Sequence, residues 1–232
     1  MKEYQLRELA SLVYFTMTDD LKWYLRRGGE HRETLREFVS LWSTLMNPLT
    51  PHLSEELNVL MGGEKLVSAG SWPQFAEEKI NLKALAGEEL IQTAMNGMRN
   101  VLKLAKIETP KKFRLFVSEK WLYPLFLIIS KELKVTRDIG EIMKKVLEGE
   151  EVNEEIKAHS KEVSRVVVSL IKDPAKIPTL ITSQEEELKS LQEAQEFLAK
   201  EFGCKVEIIP GEESEEAKAK SAIPGKVGIL VE

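Results

Sequence analysis

The chain has 232 residues, with 33 Lys and Arg against 38 Asp and Glu, and 43% of its side chains are hydrophobic. That composition belongs to one large or two small globular domains and excludes a disordered chain. The longest apolar run, Leu125 to Ile129, falls far short of the ~18 residues a transmembrane helix needs, and the single Cys204 excludes an internal disulfide or a Cys-clustered zinc site. With no basic segment leading into an apolar stretch at the N-terminus, the expectation is a soluble, cytoplasmic, metal-independent protein.

Leu6, Leu9, Val13, Met17, Leu21 and Tyr24 recur at helical spacing and predict a helix from about residue 3 to 27, stopped by Gly28-Gly29. A second stripe, Leu35, Phe38, Val39, Trp42, Leu45 and Met46, ends at Asn47-Pro48. Thr50 as N-cap and Pro51 at the first helical position open a third helix, which Gly62-Gly63 terminate. Short connections between these helices favour antiparallel packing, and residues 64–86 read as an irregular segment lying back on the bundle. From Glu88 the pattern changes. A helix over about 88–107 places Leu90, Ala94, Met98, Val101 and Ala105 on one face, with Gln92, Asn96, Arg99, Lys103 and Lys106 opposite. Phe113, Leu115 and Val117 alternate as a strand, and helices follow at about 120–133, 138–149 and 152–172. Thr179 to Thr182 reads as a strand before a helix that Ser183 caps and Gly203 ends; Val206–Ile209 and Val227–Val231 close a small sheet. The fold class expected is mostly α with a small α+β part: an incomplete antiparallel helical bundle over 1–86, then a compact α/β domain over 87–232.

Catalytic chemistry is missing from this pattern. No Gly-x-x-x-x-Gly-Lys loop is present, and His31, His52 and His159 have no metal-ligand spacing. His52, beside Pro51, reads as a ring packed or hydrogen-bonded at a helix start. Cys204 reads as an inert core thiol, and Glu55-Glu56 and Glu185-Glu186-Glu187 as solvated first-turn carboxylates. Basic residues are a different matter. Residues 87–137 hold 10 basic against 5 acidic side chains, in a chain whose net charge is −5. Arg99, Lys103, Lys106, Lys111, Lys112 and Arg114 form one cluster, and Lys22, Arg26, Arg27, Arg32 and Arg36 another. Both fit ordinary solvated faces, and both fit phosphate contacts to a nucleic acid.

One stretch carries a resemblance. Trp42-Ser-Thr-Leu-Met-Asn-Pro-Leu-Thr-Pro-His-Leu-Ser-Glu-Glu-Leu57, then Gly62-Gly63, Val67-Ser68 and Ser71-Trp72-Pro73, resembles the anticodon-binding helical bundle of the class Ia aminoacyl-tRNA synthetases for leucine, isoleucine and valine. The likeness covers roughly residues 10–75; Asn58 departs from it, standing where the family often has Trp. Asp19-Asp20-Leu21-Lys22-Trp23-Tyr24-Leu25-Arg26-Arg27 is most similar to the leucine enzymes of the archaeal and eukaryotic type, and residues 87–232 resemble their C-terminal extension.

The resemblance implies a C-terminal portion of such an enzyme. Neither the His-Ile-Gly-His signature nor the Lys-Met-Ser-Lys-Ser loop occurs here, so the chain is expected to charge no tRNA alone. No cofactor is expected in it; ATP and leucine would bind the absent N-terminal catalytic half. The implied partner is tRNA, leucine tRNA with its long variable arm in particular, with no membrane and no DNA. By position, the Lys22–Arg36 cluster would hold the tRNA body. The C-terminal domain would reach the variable arm through Lys218, Lys220, Lys226 and the tail, Val231 and Glu232. Residues 138–232 hold 13 basic and 21 acidic side chains, so such contact needs a local patch or shape readout. Trp23, Tyr24, Trp72, Trp121 and Tyr123 are stacking candidates only where they are exposed, and core packing is the expected role of each. In the family other helices precede this bundle, so an apolar strip on its helices is expected to lack cover. Two alternatives stand: the equivalent region of a valyl- or isoleucyl-tRNA synthetase, and a helical protein-interaction scaffold.

Overall fold

Two helical turns and a π-helical step open the chain, of which this computed structural model describes residues 5–149 and 154–232. The expected starts of two helices, at residues 3 and 152, lie outside the described residues. Helix α1 (Leu6–Ser11) passes through the π segment Leu12–Thr16 into α2 (Met17–Arg26). There the Met17 N–H reaches back five residues to the Leu12 carbonyl, and the next carbonyl, Val13, accepts from the Trp42 indole N–H at 2.9 Å. A slipped ladder of this kind offers a carbonyl to a side chain from elsewhere. Gly28, at φ +87°, ends α2 as expected. His31 then caps α3 (Arg32–Met46), its Nδ1 accepting from the Thr34 N–H at 3.3 Å. Thr50 stands at the N-cap of α4 (Pro51–Leu60) but makes no capping bond; its hydroxyl shares a 2.9 Å hydrogen bond with Tyr14.

The Asn-Pro…Ser-Glu-Glu stretch proves to be a hydrogen-bonded hub. Ser54, fully buried, donates to the Ser43 carbonyl at 2.7 Å and accepts from the Asn47 amide at 3.1 Å. Glu55 accepts from the Val67 N–H at 2.9 Å and the Ser68 N–H at 3.2 Å, tying α4 to the short turn Val67–Ala69. The Val67 N–H, with smaller help from Ser68 and Asn47, holds the Glu55 carboxyl below its usual range against a desolvation that raises it. Glu55 therefore departs from the solvated role expected of it, because two backbone N–H groups converge on it. His52 departs too: it is exposed, and among the described residues its ring has no hydrogen bond.

Contact density divides the chain between Lys79 and Ile80, a few residues ahead of the boundary expected after residue 86. In the first unit Val13 and Met46 are the only buried apolar side chains among the described residues, while Phe15, Val59, Leu60 and Phe75 are all more than half exposed. So thin a core makes local opening cheap. Amides of residues 5–79 are expected to exchange with deuterium at least about tenfold faster than those of the second unit's central strand and the helix after it. Equal protection of both units would count against this.

The second unit starts at α5 (Leu82–Ala105), six residues earlier than predicted, with Asn81 accepting from Lys83 N–H and Ala84 N–H. Strand β1 (Lys112–Val117) leads to α6 (Leu122–Glu132), and Asp138 caps α7 (Ile139–Glu148). The helix predicted over 152–172 is two pieces, α8 (Glu154–Ala158) and α9 (Ser160–Lys172), parted at His159. Thr179–Thr182 forms no strand: it is an irregular, bent link between the turn Pro174–Lys176 and the Ser183 cap. The predicted helix to residue 202 is likewise divided, into α10 (Gln184–Glu193) and α11 (Gln195–Phe202), ended by Gly203 at φ +63°. Strand β2 (Lys205–Pro210), helix α12 (Ala217–Lys220) and strand β3 (Gly228–Val231) complete the unit.

The sheet order is β2-β1-β3, with β1 parallel to β2 and antiparallel to β3, so Phe113 lies opposite both Val206 and Val231. Parallel pairing demands a long crossover, which α6 to α11 supply. Phe113, Leu115 and Val117 are fully buried, and a second cluster joins Phe126 and Ile129 of α6 to Ile142 of α7 and Val167 of α9. No helix among the described residues is long and apolar enough to cross a membrane.

Candidate nucleic-acid interface

In the first unit the basic residues lie on α2 and α3, which a tight turn joins. A Cβ at Gly29 would strike the Tyr24 ring, and the Tyr24 hydroxyl accepts from the His31 N–H at 3.2 Å, so Tyr24 clamps the turn. Lys22 and Arg26 lie on α2, Arg27 at its end, and Arg32 and Arg36 on α3. Lys22 pairs with Asp19 at 3.0 Å, both ends exposed, a contact worth well under about 1 kcal/mol and readily exchanged. Arg32 and Arg36 are exposed and have no ion pair among the described residues.

The second cluster is split by the sheet register. Lys103 lies exposed on α5. Contrary to the expectation from spacing, Lys106 does not continue that helical face; it forms the left-handed C-cap at φ 55°, with its side chain exposed. Lys111 is exposed in the link to β1. Arg99, Lys112 and Arg114 instead meet acids of this chain: Arg99 faces Glu201 at 3.9 Å, and Lys112 pairs with Glu207 at 2.6 Å and holds that carboxyl below its usual range. Arg114 lies between Glu232 at 2.5 Å and Glu216 at 3.7 Å, and its buried Nε has no partner.

This pairing places the tail beside the cluster. Lys111 and Lys112 both donate backbone N–H groups to the Glu232 carbonyl, and Val231 sits opposite Phe113. Lys218 and Lys220 lie exposed on α12, which packs on β1 and β3. Lys226, exposed, sits in the turn that feeds β3, bridged to Ile223. A buried carboxylate anchors that turn: Glu187 accepts from the Gly225 N–H at 2.7 Å and from the Tyr123 hydroxyl at 2.8 Å. Desolvation pushes the Glu187 carboxyl up, with Tyr123 and Gly225 pulling it part of the way back. Glu187 is thus no solvated first-turn acid, and Glu186 is also engaged, closing a capping box with Ser183 and pairing with Lys83.

The aromatic candidates separate by burial. Trp121 and Tyr123 are buried, Trp23 and Tyr24 half-buried, and Trp72 is 42% exposed. No spacing or motif signals that His159 lies flat on Trp121, with ring centroids 4.6 Å apart and planes 3° from parallel. Cys204 is half-buried rather than a core thiol, and desolvation raises its pKa.

Residues 1–116 match the family described as the anticodon-binding domain of tRNA ligase, a match that runs through α5 into β1. Over its whole length the chain aligns with leucine-tRNA ligases. It is 33% identical to that of Pyrococcus horikoshii, 36% to that of Methanocaldococcus jannaschii and 35% to that of a Methanococcus maripaludis strain. In each case the alignment covers 100% of this chain and 22% or 23% of the relative's length.

Proposed function

The chain belongs to the family of tRNA ligases with an anticodon-binding domain, and from that premise we propose that it is the tRNA-binding portion of a leucine-tRNA ligase. It grips the tRNA body through the first unit and reads the long variable arm of leucine tRNA through the second. The observation that carries this reading is the whole-chain likeness to leucine-tRNA ligases, which extends past the family match at residue 116 to the last residue. That extent also favours the leucine enzymes over their valine and isoleucine counterparts. Leucine activation with ATP, and the transfer to tRNA, would reside in the remaining three-quarters of such a ligase, to which this chain adds positioning.

Exposed cations support the grip. Arg32, Arg36, Lys103, Lys106 and Lys111 are the side chains best placed to meet phosphate, since they are exposed and no acid of the described chain holds them. Phosphate contact releases counterions, so binding must weaken steeply with salt.

The test is affinity for leucine tRNA, for the same tRNA with its variable arm shortened, and for a valine tRNA. Intact leucine tRNA is expected to bind at least about tenfold more tightly than either of the others, and to weaken roughly a hundredfold between about 50 and 200 mM salt. Equal affinity for all three would leave a generic basic surface. A flat salt response would favour a protein-interaction scaffold.

A further inference from the structure

We infer that the cavity of about 360 Å³ walled by His159, α9 and α12 takes one nucleobase extruded from the bound RNA, stacked on His159. The inference rests on the RNA-binding reading and deepens it. Trp121 fixes the platform: it is 6% exposed, its indole N–H donates to Glu119 at 2.6 Å, and its ring lies against the imidazole. The half-buried His159 at the α8–α9 break is therefore a flat surface already held in place. Stacking on such a surface costs little ordering entropy and is tolerant of base type.

The rim supplies the rest of a nucleotide's chemistry. Arg165 and Lys220 are exposed and, among the described residues, have no ion pair, which suits the flanking phosphates. Glu119 and Glu162 offer carboxylate acceptors for an exocyclic amine, which adenine, cytosine and guanine carry and uracil does not. Two acids among two cations argue against a site for phosphate alone, because a bare anion gains nothing from the carboxylates. Leu122, Val166 and Ile223 give the apolar remainder of the wall. The similar-sized cavity beside Glu187 has no aromatic ring on its lining, so it offers no stacking surface.

The experiment measures affinity of the full chain for leucine tRNA with His159→Ala, His159→Phe and Arg165→Ala, each checked for its helical signal. His159→Ala is expected to weaken binding about tenfold with an unchanged salt slope, and His159→Phe to stay within about twofold of the unaltered chain. Arg165→Ala, on the exposed face of α9, is expected to lose about fivefold and to reduce the slope by about one. Binding by the unaltered chain with no change in His159→Ala overturns the pocket and leaves the RNA-binding reading standing. Should His159→Ala fail to fold, unchanged affinity of Arg165→Ala overturns it equally. No tRNA binding by the unaltered chain overturns the reading, and the pocket with it.

Discussion

Glu187→Ala should lower the stability of the second unit by about 3 kcal/mol, while Glu187→Gln should change it by less than about 1 kcal/mol. The carboxylate is 5% exposed and serves two donors from distant parts of the chain, the Tyr123 hydroxyl on α6 and the Gly225 N–H of the turn before β3. Alanine leaves both donors buried without a partner, at about 1–3 kcal/mol each, offset in part by no longer burying a charge. Glutamine keeps an oxygen for Gly225 and turns its amide toward the Tyr123 oxygen. That phenol remains protonated at any working pH, since burial and the nearby Glu187 charge both raise its pKa.

The pH dependence has a definite sign. Glu187 binds its proton more readily in the folded chain than in the unfolded one, because desolvation raises its folded pKa. Its contribution is therefore full below the unfolded carboxyl pKa and is lost as pH rises through the folded value. Urea unfolding at pH 7 and at pH 5 checks this: the unaltered chain should gain on Glu187→Gln at the lower pH. A parallel loss in both variants would mean that the turn, rather than the carboxylate, carries the effect.

Much of the fold was legible because local chemistry agreed with the tertiary answer. Phe113, Leu115 and Val117 alternate and are buried, and Gly28, Ser183 and Gly203 end or begin helices where their backbone preferences say they should. Where the reading failed, tertiary packing had overruled a local signal. The helix expected from about residue 88 begins at Leu82 instead, and Gly87 lies inside it at a close approach to α10, where a Cβ would come within 2.6 Å of the Ser190 hydroxyl. Thr179–Thr182 has strand-like residues, but both edges of β1 are already taken, and Ile181 spends its apolar surface on the α6–α9 cluster. Strand propensity measures fit to a half-buried surface, and a helix cluster offers one as well as a sheet does.

The interface was less legible than the fold, for a related reason. Composition identifies a basic stretch, but the net charge a ligand meets depends on which acids the register brings alongside. Glu207, Glu216 and Glu232 lie at least 90 positions from Lys112 and Arg114, and only the β2-β1-β3 pairing reveals them as partners. The Trp42–Leu57 resemblance has its own physical content: Ser54, Glu55 and Asn47 are tied to the hub that joins α3, α4 and the Val67 turn. Those residues build the scaffold, and the cations on α2 and α3 are what it presents.

Reversing Lys103, Lys106 and Lys111 to Glu together should weaken leucine tRNA binding about a hundredfold at low salt and reduce the salt slope by about three. All three are exposed and no described acid holds them, so reversal removes favourable charge without opening the core. Lys144→Glu, an equally exposed change on α7, should leave affinity within about twofold, since a lone charge away from the contact is screened over roughly 10 Å. Lys112→Glu and Arg114→Glu belong to another class. Each would place like charges against Glu207 or against Glu216 and Glu232, so its first effect should be a lower unfolding midpoint rather than a shallower salt slope. Salt slope and unfolding midpoint thus separate the two groups that composition merges. If Lys144→Glu costs as much as the triple reversal, attraction is spread over the whole surface, and the stretch from Lys103 to Lys111 loses its claim to be the seat of the RNA.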